Sequence, residues 1–428
     1  MEKDALNSSN SKVMMAHTLQ STADSSDAII VGGGPVGSYA ALRLAKLGVK
    51  VTVFEEHPTI GLPSHCAGHI SIHSLRAMGL YPLPNGIVEN TFDAVNFYSP
   101  TGTRFSLALS SPVTVALNRA FFDQYLAKQA QAAGAVFSLN SCVQSLITQD
   151  GFVKGVNIPS GKNARAVSAK ITIDAEGISS RLLRQVGLAP LKPEGLVYAV
   201  EAEVDEAKDV ESNAVEVYLG KAYASGFYGW LIPRLDGTAK IGLATNKGNP
   251  REHLQRLMTK HPVASKQLAN AKITKISFHS ITLGGPIHRA YANGFLAVGD
   301  VASQVKPTTG GGVIFGLTCA KIAAEVASDA LAKGDMSSGF LELYQKRCND
   351  ALGFDVNVML RLRRFLDSLS DEKLDEVLRF CNRLGVDKAL CDVEEIDFQG
   401  KMMLKVLGKP AMLAALAYFF LLYLSANP

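Results

Sequence analysis

Apolar and polar residues alternate in two different ways along the first part of the chain. Residues 28–31 are apolar, residues 37–47 are rich in alanine and leucine, and valine occupies every second position across 49–53. A period of two predicts strands, whereas apolar residues three or four positions apart predict a helix. The pattern therefore predicts a strand, a helix and a second strand, which together form a βαβ unit.

The rest of the chain divides by the same criterion. Residues 118–137 predict a helix followed by a strand, and residues 169–188 predict a strand, an acidic turn and a helix. Alternating segments such as VEAEV and AKIGLA predict a β-rich insertion, and the spacing beyond residue 341 is helical. We predict an α/β protein with a discontinuous nucleotide-binding domain at 27–195 and 275–340, a β-rich substrate domain at 196–274 and a helical region at 341–428.

Composition narrows the class of partner. The chain has 428 residues and a net charge of +4, without a basic stripe interleaved with aromatic residues, which argues against nucleic acid. Its six cysteines include no CxxC pair, as expected of a protein in a reducing cytoplasm. Residues 1–26 are rich in serine and asparagine and lack an apolar core, so they predict a disordered leader instead of a secretory signal.

Three glycines follow the first predicted strand with the spacing of a dinucleotide-binding turn. Gly32, Gly34 and Gly37 form GxGxxG, which allows a tight turn, a close approach of pyrophosphate to the backbone, and close helix packing. Glu55 ends the second strand at the distance where an acid binds ribose hydroxyls. The unit predicts a bound dinucleotide without a 2′-phosphate.

A second glycine-rich joint lies at 299–316. Asp300 ends an apolar strand, glycines 310–312 follow, and an apolar helix begins near Val313. Glycines let the backbone approach a planar ring, and a helix N-terminus points unpaired N–H groups and its positive dipole end at a ligand. The joint predicts a seat for a flavin, whose reduced form carries negative charge. An ordinary glycine turn is the alternative.

Three histidines surround the only cysteine in the first hundred residues. His65, His69 and His73 stand four residues apart, a spacing that could collect a metal ion on one helix face. Pro63 and Gly68 interrupt such a helix. No metal site is therefore predicted.

The C-terminal tail combines an apolar run with regularly spaced cations. Residues 411–424 form an unbroken apolar run, shorter than the roughly 20 residues that a membrane span requires. Lys401, Lys405 and Lys409 recur every four residues, which predicts three cations on one helical face. We predict a peripheral association with an anionic membrane surface on the cytoplasmic side. A core helix with a solvated lysine edge is the alternative.

Several motifs occur together in one order along the chain. They are GGGPVG at 32–37, PSHCAG at 63–68, Arg119, DAEG at 174–177, YGWLIP at 228–233, and the joint with GD and KPTTGGG. With these motifs the chain resembles the geranylgeranyl reductase family, flavoproteins of the p-hydroxybenzoate hydroxylase-like fold. DAEG departs from the usual pattern, in which the third residue is Asp, although Glu176 keeps the charge.

The resemblance implies a cofactor and the residues that hold it. FAD would lie along Gly32, Gly34, Val36, Gly37, Glu55, Cys66, Ala67, Arg119, Val143, Asp300, Gly311, Gly312 and Val313. It also implies a substrate wall built from Tyr228, Trp230 and Pro233. Cys66 would lie beside the flavin as a proton donor or as a residue that shapes the reactive face. A packing role for this cysteine is the alternative.

The implied activity is FAD-dependent reduction of geranylgeranyl double bonds in archaeal-type membrane glycerophospholipids or their precursors. The electron donor would be external, either reduced ferredoxin or NAD(P)H. Two alternatives share the fold: a flavin monooxygenase that acts on a small aromatic, and a cyclase whose FAD undergoes no net redox change.

Overall fold

The protein is described here by a computed structural model that covers residues 25–160 and 163–426. The predicted leader lies outside this range except for Ser25 and Ser26, which begin the first strand. Within the range there are eighteen strands, namely β1 (Ser25–Val31), β2 (Val51–Phe54), β3 (His69–Ser71), β4 (Val88–Phe92), β5 (Ala94–Tyr98), β6 (Arg104–Ala108), β7 (Thr114–Leu117), β8 (Val136–Ser138), β9 (Ser145–Gln149), β10 (Phe152–Ser160), β11 (Asn163–Asp174), β12 (Leu196–Val204), β13 (Ala214–Tyr218), β14 (Gly229–Pro233), β15 (Ala239–Thr245), β16 (Ile273–Thr282), β17 (Tyr291–Ala292) and β18 (Phe295–Ala297).

The same residues form twelve α-helices. They are α1 (Pro35–Lys46), α2 (Ile72–Ala77), α3 (Arg119–Ala132), α4 (Arg181–Gln185), α5 (Pro250–Lys260), α6 (Ala264–Gln267), α7 (Val313–Lys333), α8 (Ser338–Ser368), α9 (Asp371–Leu384), α10 (Val386–Leu390), α11 (Gln399–Val406) and α12 (Pro410–Ala426).

A parallel sheet organises the first half of the fold. Its strands lie in the order β8, β2, β1, β11 and β18, and every neighbouring pair among these five is parallel. The predicted βαβ unit is present as β1, α1 and β2, and α1 packs against α3 and α7. Because the strands run the same way, their carboxyl ends meet at one edge of the sheet, where ligands bind in such folds.

A second sheet has seven strands in the order β16, β12, β15, β14, β13, β5 and β6. Its pairs are antiparallel except for β13 with β5. One face packs against α5 and α6, and the other carries Trp230 and Ala199 in a separate apolar cluster. This sheet includes β5 and β6 from residues 94–108 and therefore extends beyond the predicted substrate domain at 196–274. The boundaries of that domain stay a prediction.

The C-terminal helices bridge two cores. The first half of α8 packs into the core of the parallel sheet through Leu341 and Tyr344, and its end joins a cluster with α9, α10 and α12 through Phe365. No helix in the described ranges is both long and apolar enough to span a bilayer.

The predicted face of three lysines is wrong. Helix α11 ends at Val406, and Lys409 Nζ donates to the carbonyl of Ala389, 2.7 Å away, on α10. Lys401 Nζ lies 3.6 Å from Asp355 on α8. Lys405 is exposed on α11. Its side chain makes no hydrogen bond or ion pair with the other described residues.

Candidate active site

A cavity of about 410 Å³ lies at the carboxyl edge of the parallel sheet, between the N-termini of α1 and α7. Most of the predicted cofactor residues line it together: Gly32, Gly34, Val36, Gly37, Glu55, Cys66, Arg119, Val143, Asp300, Gly312 and Val313. Ala67 and Gly311 lie beside these residues in sequence without lining the cavity. The fold thus brings segments from six parts of the chain to one site.

The first glycine turn leaves no room for side chains at two of its positions. Gly32 has φ of +97°, and a Cβ there would lie 2.4 Å from the carbonyl oxygen of Ala175. A Cβ on Gly37 would lie 2.0 Å from the carbonyl oxygen of Gly32. A Cβ on Gly34, in contrast, would meet nothing within 4 Å. The backbone at Gly34 is therefore open to a ligand in the cavity.

Two helix N-termini face this cavity without side-chain caps. Gly34 precedes α1 and Gly312 precedes α7, and neither makes a side-chain capping hydrogen bond. Val36 on α1 packs closely against Gly316 on α7, where a Cβ would lie 2.5 Å from Val36 Cγ2. The unpaired N–H groups and dipoles at both helix starts favour an anionic ligand such as a pyrophosphate.

Glu55 is fixed at the end of β2. Its Oε2 accepts a hydrogen bond from the backbone N–H of Gly33 at 2.7 Å, and its Oε1 accepts one from His57 N at 2.9 Å. The His57 ring lies 2.6 Å from the same Oε1. The carboxylate is thereby held in one orientation at the wall of the cavity.

Arg119 stands at the first turn of α3, where the Asn118 side chain accepts a hydrogen bond from Phe121 N at 3.2 Å. Its guanidinium lies 3.1 Å from Asp123. Burial disfavours the charged guanidinium, but Asp123 and the nearby Cys66 outweigh it, so the pKa of Arg119 is raised. Arg119 is therefore a permanent cation beside Cys66.

Asp300 lines the cavity beside the start of α7. A Cβ on Gly312 would come within 2.8 Å of its Oδ1, so a larger residue at this position would displace the Asp300 carboxylate. The side chain is exposed because it lines the cavity instead of packing into the core. The surrounding protein still raises the pKa of Asp300 by desolvation, and the charge of Arg119 opposes this rise.

The loop that carries Cys66 is anchored by a lysine that the sequence reasoning missed. Lys240, in β15, is 7 % exposed, and its Nζ donates to the Ala67 carbonyl at 3.2 Å and to Glu89 at 2.9 Å. A single lysine within the apolar segment AKIGLA was the available signal. Buried charges need partners, so this residue fixes the backbone next to Cys66.

The KPTTGGG loop is held at four successive residues by different elements. Lys306 pairs with the buried Asp397. Arg363 on α8 donates to the Pro307 carbonyl at 3.3 Å, and Thr308 Oγ1 bonds to the Gln399 side chain at 2.7 Å. The Tyr228 hydroxyl donates to the Thr309 carbonyl at 3.0 Å. A Cβ on Gly311 would lie 2.6 Å from Lys306 Cε, so this glycine packs on the loop itself.

The predicted substrate residues lie behind this loop and do not line the 410 Å³ cavity. The Tyr228 and Trp230 rings are 6.2 Å apart in an edge contact. Trp230 is 7 % exposed, and Pro233 is buried at the end of β14. Their role as a substrate wall stays a prediction.

The three histidines do not gather. His65 lines the cavity, His69 bonds to Thr114 Oγ1 at 2.7 Å, and His73 lies 3.5 Å from Glu395. Among the described residues no group of three or more histidine, cysteine or acidic side chains is placed to hold a metal ion.

The residues at the cavity fit an FAD. A pyrophosphate would bind at the open backbone of Gly34 and the two uncapped helix starts. A ribose would bind at the carboxylate of Glu55. Val143 and Cys142 line the end beside Glu55, and Val313 and Cys66 line the end beside Asp300. The cavity therefore combines polar backbone groups with the apolar side chains of Val143 and Val313, against which the two ring systems would lie.

Comparisons with known proteins agree with this geometry. The FAD binding domain family matches residues 25–351. Digeranylgeranylglycerophospholipid reductase 2 from Methanopyrus kandleri is 32% identical over 393 residues, covering 90% of this chain and 97% of that protein. The protein of the same name from Methanothermobacter thermautotrophicus is 34% identical over 361 residues, covering 82% of this chain and 91% of that protein.

Among solved structures, a geranylgeranyl bacteriochlorophyll reductase-like protein from Thermoplasma acidophilum superposes with a TM-score of 0.81. It is 25% identical and covers 92% of this chain and 99% of that protein. These matches confirm the predicted fold class, with its C-terminal helical region, and FAD as cofactor. The chain belongs to the FAD-binding geranylgeranyl reductase family, in the group of the digeranylgeranylglycerophospholipid reductases.

Proposed function

We propose that the protein is a flavin-dependent oxidoreductase that reduces geranylgeranyl double bonds in archaeal-type membrane glycerophospholipids or their precursors. The observation that carries this proposal is an apolar wall next to the glycine joint. A Cβ on Gly310 would lie 3.1 Å from Phe227 and 3.1 Å from Ile281, and both belong to an apolar cluster with Ala67 and Tyr228. An isolated prenyl double bond requires such dry surroundings.

Residues at different positions around the cavity would have different roles in this reaction. Bound FAD supplies, in its reduced form, the hydride for one carbon of the double bond. Gly34, Glu55 and Asp300 would hold the cofactor along the cavity, and Phe227 and Tyr228 would orient the prenyl chain. A double bond without a neighbouring carbonyl is not polarised, so catalysis relies on positioning and on a proton donor for the second carbon.

Cys66 is the proposed proton donor. It lines the cavity with partial exposure, and its side chain contacts the guanidinium of Arg119. We expect Cys66→Ala to keep its FAD and to lose turnover by a factor of about 10² or more. Cys391→Ala, which changes a cysteine in the C-terminal region, is the control. Turnover at the wild-type rate in Cys66→Ala would show that Cys66 is not the proton donor.

An anaerobic single turnover tests the proposed activity. Protein with pre-reduced flavin is mixed with a digeranylgeranyl glycerophospholipid, and flavin absorbance and lipid mass are followed together. Reoxidation with a mass gain of two hydrogens per double bond supports the reductase. Reoxidation that requires oxygen would indicate a monooxygenase, and a rearranged lipid of unchanged mass would indicate a cyclase. To identify the electron donor, the assay starts from oxidised flavin, and either reduced ferredoxin or NAD(P)H is added as the reductant.

We further propose that α12 contacts the membrane surface from the cytoplasmic side. Ala415 and Met412 on this helix pack into the C-terminal cluster, whereas Leu413 on the opposite side is 54% exposed. Leu404 on α11 is 58% exposed. These side chains would enter the headgroup region, with Lys405 beside them.

Vesicle flotation tests this association. We expect wild-type protein to float with vesicles of anionic glycerophospholipid, and Leu413→Lys to reduce the bound fraction severalfold, because a buried cation replaces an apolar contact. Leu235→Lys is the matched control, since Leu235 is 76% exposed in the turn between β14 and β15. Equal flotation of both variants would contradict the proposal.

A further inference from the structure

A second, smaller cavity lies behind Cys66. Its volume is about 180 Å³, and Cys66 and Arg119 line both this cavity and the larger one. Apart from Leu62 and Ala120 the rest of its lining is polar, and it includes Glu201 and Ser277 from the inner face of the seven-stranded sheet. The space is large enough for several water molecules and has the polar partners that water requires.

Three neighbouring strands place Glu201 in this cavity by their register. Gly242 in β15 lies directly between Glu201 in β12 and Trp230 in β14. A Cβ on Gly242 would lie 2.4 Å from the Trp230 ring. Because glycine has no side chain, the indole can cross β15 and donate from Nε1 to Glu201 Oε2 at 3.0 Å.

Glu201 differs from the other charged groups that line the cavity. Glu203 pairs with Arg234 at 2.8 Å and with Lys275 at 3.2 Å, and Glu89 pairs with Lys240 at 2.9 Å. In the described part of the chain, the Glu201 carboxylate makes no ion pair, although it is only 6% exposed. A buried carboxyl without a cationic partner is expected to keep its proton.

The balance of charges around Glu201 agrees with this expectation. Desolvation by burial raises the pKa of Glu201 to about 7, against the opposing effects of Lys240 and the Trp230 hydrogen bond. Glu203 contributes to the rise, and Lys275 opposes it. Such a group gains and loses its proton near neutral pH, as a general acid must.

We propose that Glu201 is the internal proton reservoir that restores the thiol of Cys66 after each reduction step, through water in the 180 Å³ cavity. This role rests on the proposed function. In the reduction, the S–H bond of Cys66 breaks and a C–H bond forms at the carbon that does not receive the hydride. The O–H bond of Glu201 then breaks, water carries the proton, and the S–H bond forms again. Solvent reprotonates Glu201 past Lys275, whose side chain is 53% exposed. No electrons move in these two transfers.

The closing experiment measures the coupling between the two groups without turnover. Purified full-length protein with its FAD is treated with a small methanethiosulfonate between about pH 5 and 9, and modification of Cys66 is followed by peptide mass spectrometry. Above pH 7 the charge on Glu201 disfavours a second negative charge on Cys66. We expect Glu201→Gln to react about threefold to tenfold faster than wild type near pH 8.5 and at the same rate near pH 5.5.

Two further variants keep the test decisive. Glu216→Gln is the matched control, because Glu216 is a buried glutamate on the opposite face of the same sheet, bonded to Tyr218 and Gln267. It should leave the Cys66 profile unchanged. Trp230→Phe removes a hydrogen bond that favours the charged form of Glu201, so the carboxyl should keep its proton to higher pH and Cys66 should react faster than in wild type just above about pH 7.

Each result has one meaning. A wild-type profile identical to that of Glu201→Gln, or a Cys66 that reacts at no pH, would overturn the reservoir, even if the enzyme reduces lipid. The predicted shift in a protein that reduces no prenyl lipid would support the coupled pair and reject the proposed function. When both hold, Glu201→Gln should reduce one double bond at the wild-type rate in a single turnover but fall behind wild type over repeated turnovers, most clearly at pH values up to about 7, where wild-type Glu201 carries its proton, with lipid binding unchanged.

Discussion

Single buried side chains set the geometry around Cys66, and sequence alone could identify only some of them. Gly32 and Gly37 belong to a local motif, so their spacing predicts their role. Glu201 and Lys240 lie in alternating strand segments, and periodicity places each on one face of its strand. It does not reveal that the loop with Cys66 covers that face, because the contact joins residues more than a hundred positions apart, such as Lys240 and Ala67.

Lys240 provides a stability prediction at this scale. Lys240→Met should lower the free energy of unfolding by about 1–3 kcal/mol, because Glu89 keeps only Arg234, at 3.6 Å, as a cationic partner and the Ala67 carbonyl loses its donor. Lys275→Met should cost about 1 kcal/mol or less, since Lys275 is 53% exposed. Urea denaturation monitored by circular dichroism measures both values. Equal losses in the two variants would contradict the anchoring role of Lys240.

Glu201 provides a prediction of pH dependence. Its pKa rises from 4.5 to about 7 on folding, so between these values the folded protein keeps a proton that the unfolded chain has lost. Wild-type stability therefore falls as the pH rises through this window. Glu201→Gln lacks this loss and should gain up to roughly 3 kcal/mol relative to wild type between pH 4.5 and 7.5. Denaturation midpoints across this range test the sign, and a constant difference would contradict it.

At the scale of elements, local signals predicted well and distant pairings did not. The βαβ unit and the joint before α7 each lie within a short stretch, so periodicity and glycine positions were sufficient. The pairing of β5 with β13 joins segments from 94–98 and 214–218, which no local pattern connects. The anchoring of the KPTTGGG loop by Asp397 and Arg363 also depends on helices much later in the chain.

The anchored loop leads to a prediction about cofactor affinity. Asp397→Asn removes the charge that holds Lys306, and Ser74 loses a carboxylate acceptor at 2.6 Å. We expect the loop to loosen and the dissociation constant for FAD to rise about tenfold, or about 1.4 kcal/mol. Titration of apoprotein with FAD, followed by flavin fluorescence, measures this change. Glu394→Gln is the control, because Glu394 is exposed three residues earlier; an equal effect there would reject the explanation.

At the scale of the molecule, α8 connects the cofactor domain with the C-terminal cluster. Its 31 residues span about 46 Å. Tyr344 near its start donates to the Ala297 carbonyl at the end of β18, and Phe365 near its end packs in the cluster with α9 and α12. Arg363 between these points contacts the KPTTGGG loop. The helix thus joins the proposed membrane-facing surface to the cavity without an intervening flexible segment.

This organisation predicts which part of the molecule depends on the tail. A chain that ends before Pro410 loses the α12 side chains that cover Leu378 and Phe365. Amide exchange in α9 and α10 should accelerate by a factor of ten or more, whereas β1 and β11, buried in the other core, should keep their protection. Exchange measured by mass spectrometry separates the regions. Uniform acceleration across all elements would show that the two cores unfold as one unit.

The indole that crosses Gly242 has a consequence for optical measurements. Trp230 is the only tryptophan in the chain, so ultraviolet emission selected for tryptophan arises from one known position. That position bonds to Glu201 and contacts Tyr228, which reaches the loop at the cavity. The protein thus contains an intrinsic fluorophore. Its emission should change when Glu201 ionises, when lipid binds and when energy is transferred to the flavin.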